Sequence, residues 1–399
     1  MNVKQITDSI YYIGVNDRTT HLFEALWPLP YGVSYNSYLV KGSEKTAIID
    51  GVEVSHALKL IDHIHSILGD KHPDYLIINH MEPDHSGAIA ILKSAYPDIT
   101  IVGNTQTLNM INGFYGISTN TLCIKDGDTL SLGNETLRFA LTPMVHWPET
   151  MMTIAENSRA LFAGDAFGCF GALNGAVIDS DMTTDMHFRE MIRYYSNIVG
   201  KYGAYVQRAL AKLKGTDITT ICSTHGPVWQ ENVTKVIDLY DKLSRYEPLD
   251  NGVTIVYGSM YGNTESLVES TASYLADSGI KDITVHNAST THLSYILADI
   301  FTHRGLIVAA PTYSADLFPP IREVMDAIVN RQLANRTVGI IGSYTWAQQA
   351  SKRITDYLQT SKLITIGPII ELKHAPSDTH RDQSRELASQ MAAELKAFQ

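Results

Sequence analysis

The stretch NHMEPDHSG, residues 79–87, sets two histidines, a glutamate and an aspartate within the six positions from His80 to His85. Imidazole and carboxylate are metal ligands, and four of them this close together could serve two ions. The apolar run YLIINH ends at His80, and Pro83 discourages a helix across the residues that follow, so the segment is expected to be extended. His80, Glu82 and Asp84 then project to one side by the period of two, while His85 opens a second direction just before the helix-like SGAIAILKSA. A polar surface turn would use the same residue types, so further donors must separate the two readings.

Three other stretches supply them. LRFALTPMVHWPE carries His146, ALFAGDAFG carries Asp165 and TTICSTHGP carries His225, each an apolar, strand-like run ending in a potential ligand. Four such events at the carboxyl ends of strands bring seven donors to one edge of a sheet. His80, Glu82 and His146 make a set for one metal and Asp84, His85 and His225 a set for the other, with Asp165 placed to bridge. Three carboxylates against four imidazoles is a harder set than a histidine-dominated zinc site and suits iron or manganese, although the ligand types leave zinc open. Two metals about 3.5–4 Å apart could clamp a diatomic molecule between them.

The elements that must position these residues follow from length and pattern. The 399 residues are too many for one ordinary core and point to two domains. A hydrophobic fraction of 44% with 18% charged residues is ordinary globular composition, so the chain is expected to fold throughout. A net charge of -11 without a Lys/Arg cluster disfavours nucleic acid and anionic lipid as partners. MNVKQITDSIYYIG lacks the pattern of a secretory signal, and no apolar run approaches the ~20 residues that span a bilayer, so a soluble, cytoplasmic protein is expected. Cys123, Cys169 and Cys222 are far apart and form no C-x-x-C pair, which argues for packed thiols rather than a disulfide scaffold, an iron–sulfur cluster or a thiolate zinc site. The polar segment LSRYEPLDNGV, residues 243–253, separates the two halves, giving domains over residues 1–248 and 252–399. The first half reads as a mixed sheet with helices packed on it. In the second, TIVYGSM, ITVHNA, GLIVAAP and TVGIIGS alternate with helical patterns from Ser266 to Ser278, near Ser294, near Pro320 and from Ala347, the alternation of a doubly wound parallel sheet.

That second half offers a separate chemistry. SMYGNTE, residues 259–265, lies between a strand and a helix, where small residues, hydroxyls and backbone N–H groups can cradle a phosphate without any basic residue. A plain strand-to-helix turn with Thr264 as N-cap would look similar. PTYSADLFPP from Pro311 and GSYTWAQQ from Gly342 also follow apolar strands, so three loops meet at the carboxyl edge where doubly wound folds bind ligands. Tyr313 and Trp346 could flank a flat ring.

Taken together, H-x-E-x-D-H followed by H, D and H resembles the metallo-β-lactamase fold in its flavodiiron branch, in which glutamate, here Glu82, replaces the second histidine of the hydrolases' H-x-H-x-D-H. FEALWPLPYGVSYNSYLV, HMEPDHSG, GDAFGCFGALNG, RYYSNIVGKY and STHGPVW resemble that family in order and separation, over essentially the whole chain. The resemblance implies an α/β architecture: a metallo-β-lactamase-like αββα sandwich followed by a flavodoxin-like doubly wound parallel sheet. It implies two iron ions per chain on His80, Glu82, Asp84, His85, His146, Asp165 and His225, and an enzyme reducing dioxygen to water, nitric oxide to nitrous oxide, or both. In some relatives the histidine equivalent to His85 turns from the metal to water. The three loops resemble the flavodoxin pattern for one flavin mononucleotide (FMN) per chain. By that likeness Ser259, Met260, Tyr261, Gly262, Asn263 and Thr264 hold the phosphate. Pro311, Thr312, Tyr313, Ser314, Ala315, Ser343, Tyr344, Thr345 and Trp346 surround ribityl and ring. Two departures stand out. Relatives often read S-Y-G-W-S-G in the third loop and N-N-G in the second, where this chain has SYTWAQQ and SAD. If the flavin needed a glycine conformation in the third loop, Thr345 would alter its pose and potential. Tyr195, in RYYSN, is a candidate pocket residue that donates a proton or hydrogen bond.

The family pattern also implies a head-to-tail homodimer in which the flavin of one subunit faces the irons of the other. The sequence ends at Gln399 without a C-x-x-C pair. An external donor is therefore expected, most simply a rubredoxin, with a reduced deazaflavin or a flavin reductase also fitting. Two other classes compete. A binuclear zinc hydrolase fused to a flavodoxin predicts zinc and ester or amide turnover, with Glu82 against it. A non-catalytic flavin electron carrier predicts flavin without stoichiometric iron.

Overall fold

A computed structural model describes residues 3–397 as two compact units, Met1–Tyr194 with Ala204–Asp241, and Tyr195–Gly203 with Lys242–Gln399. The first unit is a sandwich of two sheets. One runs, edge to edge, Lys4–Gln5, Ile10–Tyr12, Tyr38–Lys41, Thr46–Ile49, Tyr75–Ile77, Thr100–Gly103 and Thr121–Cys123. The other runs Thr129–Ser131, Thr136–Leu141, Met151–Ala155, Ala160–Gly164 and Thr220–Ser223. Their inner faces share one core, where Tyr12, Tyr38, Ile49 and Val102 meet Leu137, Phe139, Phe162 and Cys222. Helices complete the αββα layers. Ala57–Leu68 buries Ala57, Leu60, Ile64 and Leu68, the spacing of one helical face, and each large apolar side chain so buried contributes roughly 1.5–3 kcal/mol.

Four strands deliver the candidate ligands. Tyr75–Ile77, Thr136–Leu141, Ala160–Gly164 and Thr220–Ser223 end shortly before His80, His146, Asp165 and His225. The segment after His80 departs from the extended conformation expected of it. Pro83 is the first residue of a helical turn, Pro83–Ser86, with Glu82 as its N-cap position. Proline lacks only an N–H that the first turn leaves unpaired anyway, so there it starts a helix instead of preventing one. The turn gives His80 and Glu82 one direction and Asp84 and His85 another.

The second unit is a sheet in the order Ile283–Asn287, Asp250–Tyr257, His303–Tyr313, Ala334–Tyr344 and Lys362–Thr365, with parallel pairing along that path. This is the flavodoxin strand order, and its reversal falls between the first and third strands in sequence. The expected helices appear as Asn263–Asp277, Leu293–Thr302, Pro319–Asn330 and Ala350–Gln359, with Asp378–Lys396 added. The segment Tyr195–Gly203 belongs here because Arg331 donates to the carbonyls of Ser196 (2.6 Å) and Asn197 (3.1 Å). Asn197 also donates to Ser294 O at 3.1 Å.

One smaller expectation fails and one competing reading falls. Cys169 and Cys222 are buried, but Cys123 is exposed, since it ends the edge strand Thr121–Cys123. Thr264 is not an N-cap: Gly262, at φ +86°, fills that position, and the Thr264 hydroxyl lies 2.8 Å from Ser343 Oγ.

Candidate metal centre and cofactor loops

The seven donors of the first unit converge in two groups, His80 with Glu82, His146 and Asp165, and Asp84 with His85 and His225. In the first group His146 Nε2 stands 3.1 Å from Glu82 Oε2 and 3.0 Å from Asp165 Oδ2, and His80 Nε2 lies 3.3 and 3.5 Å from the same two atoms. In the second, His225 Nε2 is 3.2 Å from Asp84 Oδ2, and His85 Nε2 is 3.3 Å from Asp84 Oδ1. Asp165 reaches both groups. Its Oδ2 faces the first, while its Oδ1 stands 2.9 Å from His85 Nε2 and 3.8 Å from His225 Nε2.

The surrounding hydrogen bonds decide what these nitrogens present. His225 Nδ1 lies 2.7 Å from the carbonyl oxygen of Ser34, which can only accept, so the proton sits on Nδ1 and Nε2 offers a lone pair. His80 Nδ1 is anchored in the same way on Glu149 Oε1 at 2.9 Å. Lone pairs aimed at carboxylate oxygens repel unless a cation lies between them. Asp84 Oδ1 and Oδ2, His85 Nε2 and His225 Nε2 are buried without a hydrogen-bond partner, which suits metal ligands. The donor set therefore fits two cations that share Asp165.

The charges show the same tension. Burial would lower His80, but Asp165, Glu149 and Glu82 hold it well above the usual imidazole range. Burial would raise Asp165, yet His85 and His80 hold it well below the usual carboxylate range. His85 and His146 are each raised to about 9 against the opposing effect of burial, the first by Asp84 and Asp165, the second by Asp165 and Glu82. The pocket demands positive charge among its carboxylates.

Several supporting residues were not singled out from the sequence. Glu149, three residues beyond His146, accepts both from His80 and from Met81 N, the latter at 2.9 Å. Asp50, at φ +54°, takes the backbone N–H of Asn79 at 2.7 Å and the Asn79 side-chain amide at 3.0 Å, fixing the strand end that launches His80. Its carboxyl is pushed up to about 6 by burial, which outweighs His85 and the Asn79 hydrogen bonds. Glu24 lies beside Glu82, and partial burial with the Glu82 charge pushes its carboxyl up to about 7. HWPE and TAIIDG showed these carboxylates at strand ends, but nothing local distinguished them from turn residues.

The tyrosine of RYYSN nearest the metal donors is Tyr194. Its ring lies 5.7 Å from that of His225 and 5.0 Å from Phe170. Tyr195 instead packs 6.3 Å from Phe301. Successive residues on a helix point about 100° apart, so only one of the pair can face the donors, and the sequence did not fix the phase. Burial and the charges of Asp165, Glu82 and Asp84 hold the Tyr194 phenol well above its ordinary value, so it stays protonated.

In the second unit the three loops converge. Ser259, Met260, Tyr261, Asn263, Thr264, Pro311, Thr312, Ser343, Tyr344 and Thr345 line one pocket of about 80 Å³, joined by His374, which the sequence reading omitted. Gly262, at φ +86°, carries the chain into the helix Asn263–Asp277, with Gly262 N donating to Ser259 Oγ at 3.1 Å. No side chain caps that helix, and a Cβ at Gly262 would meet nothing within 4 Å, so uncapped N–H groups border open space that suits a phosphate. Thr312 Oγ1 accepts from Gln349 N and Ala350 N at 3.1 Å each, tying the second loop to the third. Tyr313, Trp346, Met260 and Tyr261 are exposed, Trp346 by 77% and Tyr261 by 89%.

The glycine departures fall differently from expectation. Thr345 is not among the positive-φ residues, so the third loop requires no glycine there. The demand lies in the second loop, where Ser314 (φ +51°) and Ala315 (φ +61°) form the two-residue turn between Tyr313 and Asp316. Such turns favour Asn and Gly, because a Cβ in the left-handed region crowds the backbone.

The chain matches the model of the ODP family beta lactamase over residues 33–226 and that of flavodoxin over residues 255–387. It is 28% identical over 397 residues to the anaerobic nitric oxide reductase flavorubredoxin of Escherichia coli, covering 97% of this chain and 82% of that protein. The rubredoxin oxygen:oxidoreductase of Desulfovibrio gigas superposes with a TM-score of 0.93 at 27% identity, covering 99% of both chains. A variant of the flavo di-iron protein of Thermotoga maritima superposes with a TM-score of 0.91 at 27% identity, covering 98% of both.

Proposed function

We infer the reaction from the premise that this chain belongs to the flavodiiron proteins, a metallo-β-lactamase-like domain followed by a flavodoxin domain. It is an oxidoreductase that reduces dioxygen to water, nitric oxide to nitrous oxide, or both, with a di-iron centre and FMN as cofactors. One observation carries the reading: seven buried or half-buried donors divide into two groups around Asp165, with imidazole nitrogens facing carboxylates and both Asp84 oxygens buried without a hydrogen-bond partner.

When bound, FMN takes electrons singly from a one-electron donor, and iron offers open positions to a diatomic gas. The chain's own groups set the conditions. We assign His80, Glu82 and His146 to one iron, Asp84, His85 and His225 to the other, and Asp165 to both. Glu149 and the Ser34 carbonyl fix the tautomers of His80 and His225 so that each presents Nε2. Phe23, Phe170 and Tyr194 wall His225 with buried rings that exclude water. The protonated Tyr194 hydroxyl belongs to a ring 5.7 Å from that of His225 and can supply a hydrogen bond or proton to a bound gas. In the second domain the turn at Ser259–Thr264 would receive the phosphate, and Tyr313 and Trp346 would flank the flavin ring.

The active form is a head-to-tail homodimer supplied by a rubredoxin or a similar small carrier in the cytoplasm. Support comes from the rubredoxin named in the D. gigas relative and from the broad exposure of Trp346 and Tyr261. Among the described residues no helix is long and apolar enough to cross a membrane. Sedimentation should show a dimer, and an active monomer that survives dilution would refute the arrangement.

The deciding experiment measures oxygen and nitric oxide consumption separately at electrodes, under anaerobic preparation, with protein loaded with iron and FMN and kept reduced by a rubredoxin system. Turnover of either gas is expected. If neither is consumed while both cofactors are bound, the reductase reading fails.

A further inference from the structure

Three side chains at the amino-terminal edge of the flavodoxin sheet take no part in the chemistry above. Asp250 opens the strand Asp250–Tyr257, Asp282 stands just before Ile283–Asn287, and His303 opens His303–Tyr313. These are three adjacent strands, and the flavin loops lie at their opposite, carboxyl ends. Asp250 pairs directly with His303, with a register shift before Val253, the kind of irregularity that redirects a side chain at a sheet edge.

The imidazole of His303 is only 3% exposed. Its Nδ1 lies 2.9 Å from Thr254 Oγ1, which turns Nε2 toward the two carboxylates. Nε2 stands 3.6 Å from Asp282 Oδ1 and 3.8 Å from Asp250 Oδ1, beyond hydrogen-bonding distance from both. One ligand atom from each of the three residues lies within 4.8 Å of the other two. Asp250 Oδ1 is held in place by the N–H of Gly252 at 2.8 Å. Burial raises the Asp250 carboxyl above its ordinary value, so the group gains from a cation.

We propose that His303 Nε2, Asp250 Oδ1 and Asp282 Oδ1 form a mononuclear site for a divalent zinc-class cation, separate from the di-iron centre. One imidazole and two carboxylates are a borderline-hard donor set suited to zinc or manganese. Donors about 2.1 Å from an ion are about 3.0–3.4 Å apart at octahedral to tetrahedral angles, so the observed separations need to close by a few tenths of an ångström. Asp282 can close its own gap, because its side chain is 63% exposed, and the Asp250 side chain, 38% exposed, can close the other. A cavity of about 300 Å³ bordered by Asp250, Asp282, Gly279 and Leu395 leaves room for water to complete the coordination. Lys281 and Lys396 border it too and temper the affinity; Lys396 Nζ already donates to Ser278 O at 3.2 Å. The ion would staple three strand starts to a common point, and an ion bound only by the folded chain raises its unfolding temperature.

The test uses the full chain loaded with iron and FMN, so that the di-iron ligands are occupied, and titrates Zn²⁺ by calorimetry with iron content measured afterwards. One equivalent of zinc should bind with iron retained, and the unfolding temperature should rise by about 2–4 °C. Asp282→Asn should weaken that binding at least tenfold and cancel the thermal shift, with iron content and flavin absorbance unchanged. His303→Asn, whose amide can keep the Thr254 bond, should abolish it. The proposal is overturned if zinc binds only by displacing iron, if no equivalent binds, or if wild type and Asp282→Asn bind it equally through adventitious surface groups.

Discussion

Around Asp165 the side chains make the site: four imidazoles and three carboxylates, mostly buried, their orientations fixed by Glu149, the Ser34 carbonyl and Asp50. Around Gly262 the backbone makes it: an uncapped helix start, a left-handed turn at Ser314 and Ala315, and aromatic rings left largely in solvent. An ion needs few ligands at short distance, and only side chains carry those charges to a point. A phosphate is larger and takes its hydrogen bonds from successive N–H groups, which every residue type except proline provides. Loss of one side chain should therefore empty the first site, whereas the second should yield only to changes in backbone conformation.

The sharpest way to break that contrast is Asp165→Ala. Because its two oxygens face both groups, the variant should lose iron from both positions and gas reduction by at least a thousandfold, with FMN retained; metal analysis and electrode assays measure this. If one iron per chain remained firmly bound, the carboxylate would not be the shared element. Glu149→Ala should come next. The His80 ring loses its anchor and Met81 N its acceptor, so iron affinity should fall about 10–100-fold, read as faster loss to a chelator, with flavin binding unaltered. Unchanged iron retention would show that His80 is held by its strand alone.

On the flavin side, Gly262→Ala places a Cβ at φ +86°, at a strain of roughly 1–2 kcal/mol. FMN affinity should drop about tenfold in a fluorescence titration while iron content stays at the wild-type value. A loss of iron instead would mean that the two sites are coupled. The smallest effect belongs to Ala315→Gly, which relieves a left-handed alanine and should stabilise the chain by about 0.5–1 kcal/mol in urea unfolding. A loss of stability would show that the loop prefers its present backbone.

Much of both sites was legible in the sequence because their signals are local. A histidine or aspartate that ends an apolar run is visible as such, and so is a hydroxyl-rich turn between a strand and a helix. Relations across the chain were hidden. Glu149 reads as a turn residue until His80 is folded beside it, and Tyr194 and Tyr195 are equivalent until the helix phase is set. Pro83 shows the same limit at short range, since proline forbids a helix interior but suits a helix start, and only the surrounding turn decides which applies.

Residue type and spacing by themselves determined which groups carry charge, lone pairs or hydroxyls, and how strands and helices must alternate to expose them at their ends. These properties belong to single residues and short periods. The tertiary structure alone decided that Asp165 turns one oxygen to each group, that Ser34 contributes its carbonyl and not its hydroxyl to His225, and that Asp250, Asp282 and His303 meet at one edge. Each of these depends on distances between segments far apart in sequence, which the packing of sheets and the register of their strands set.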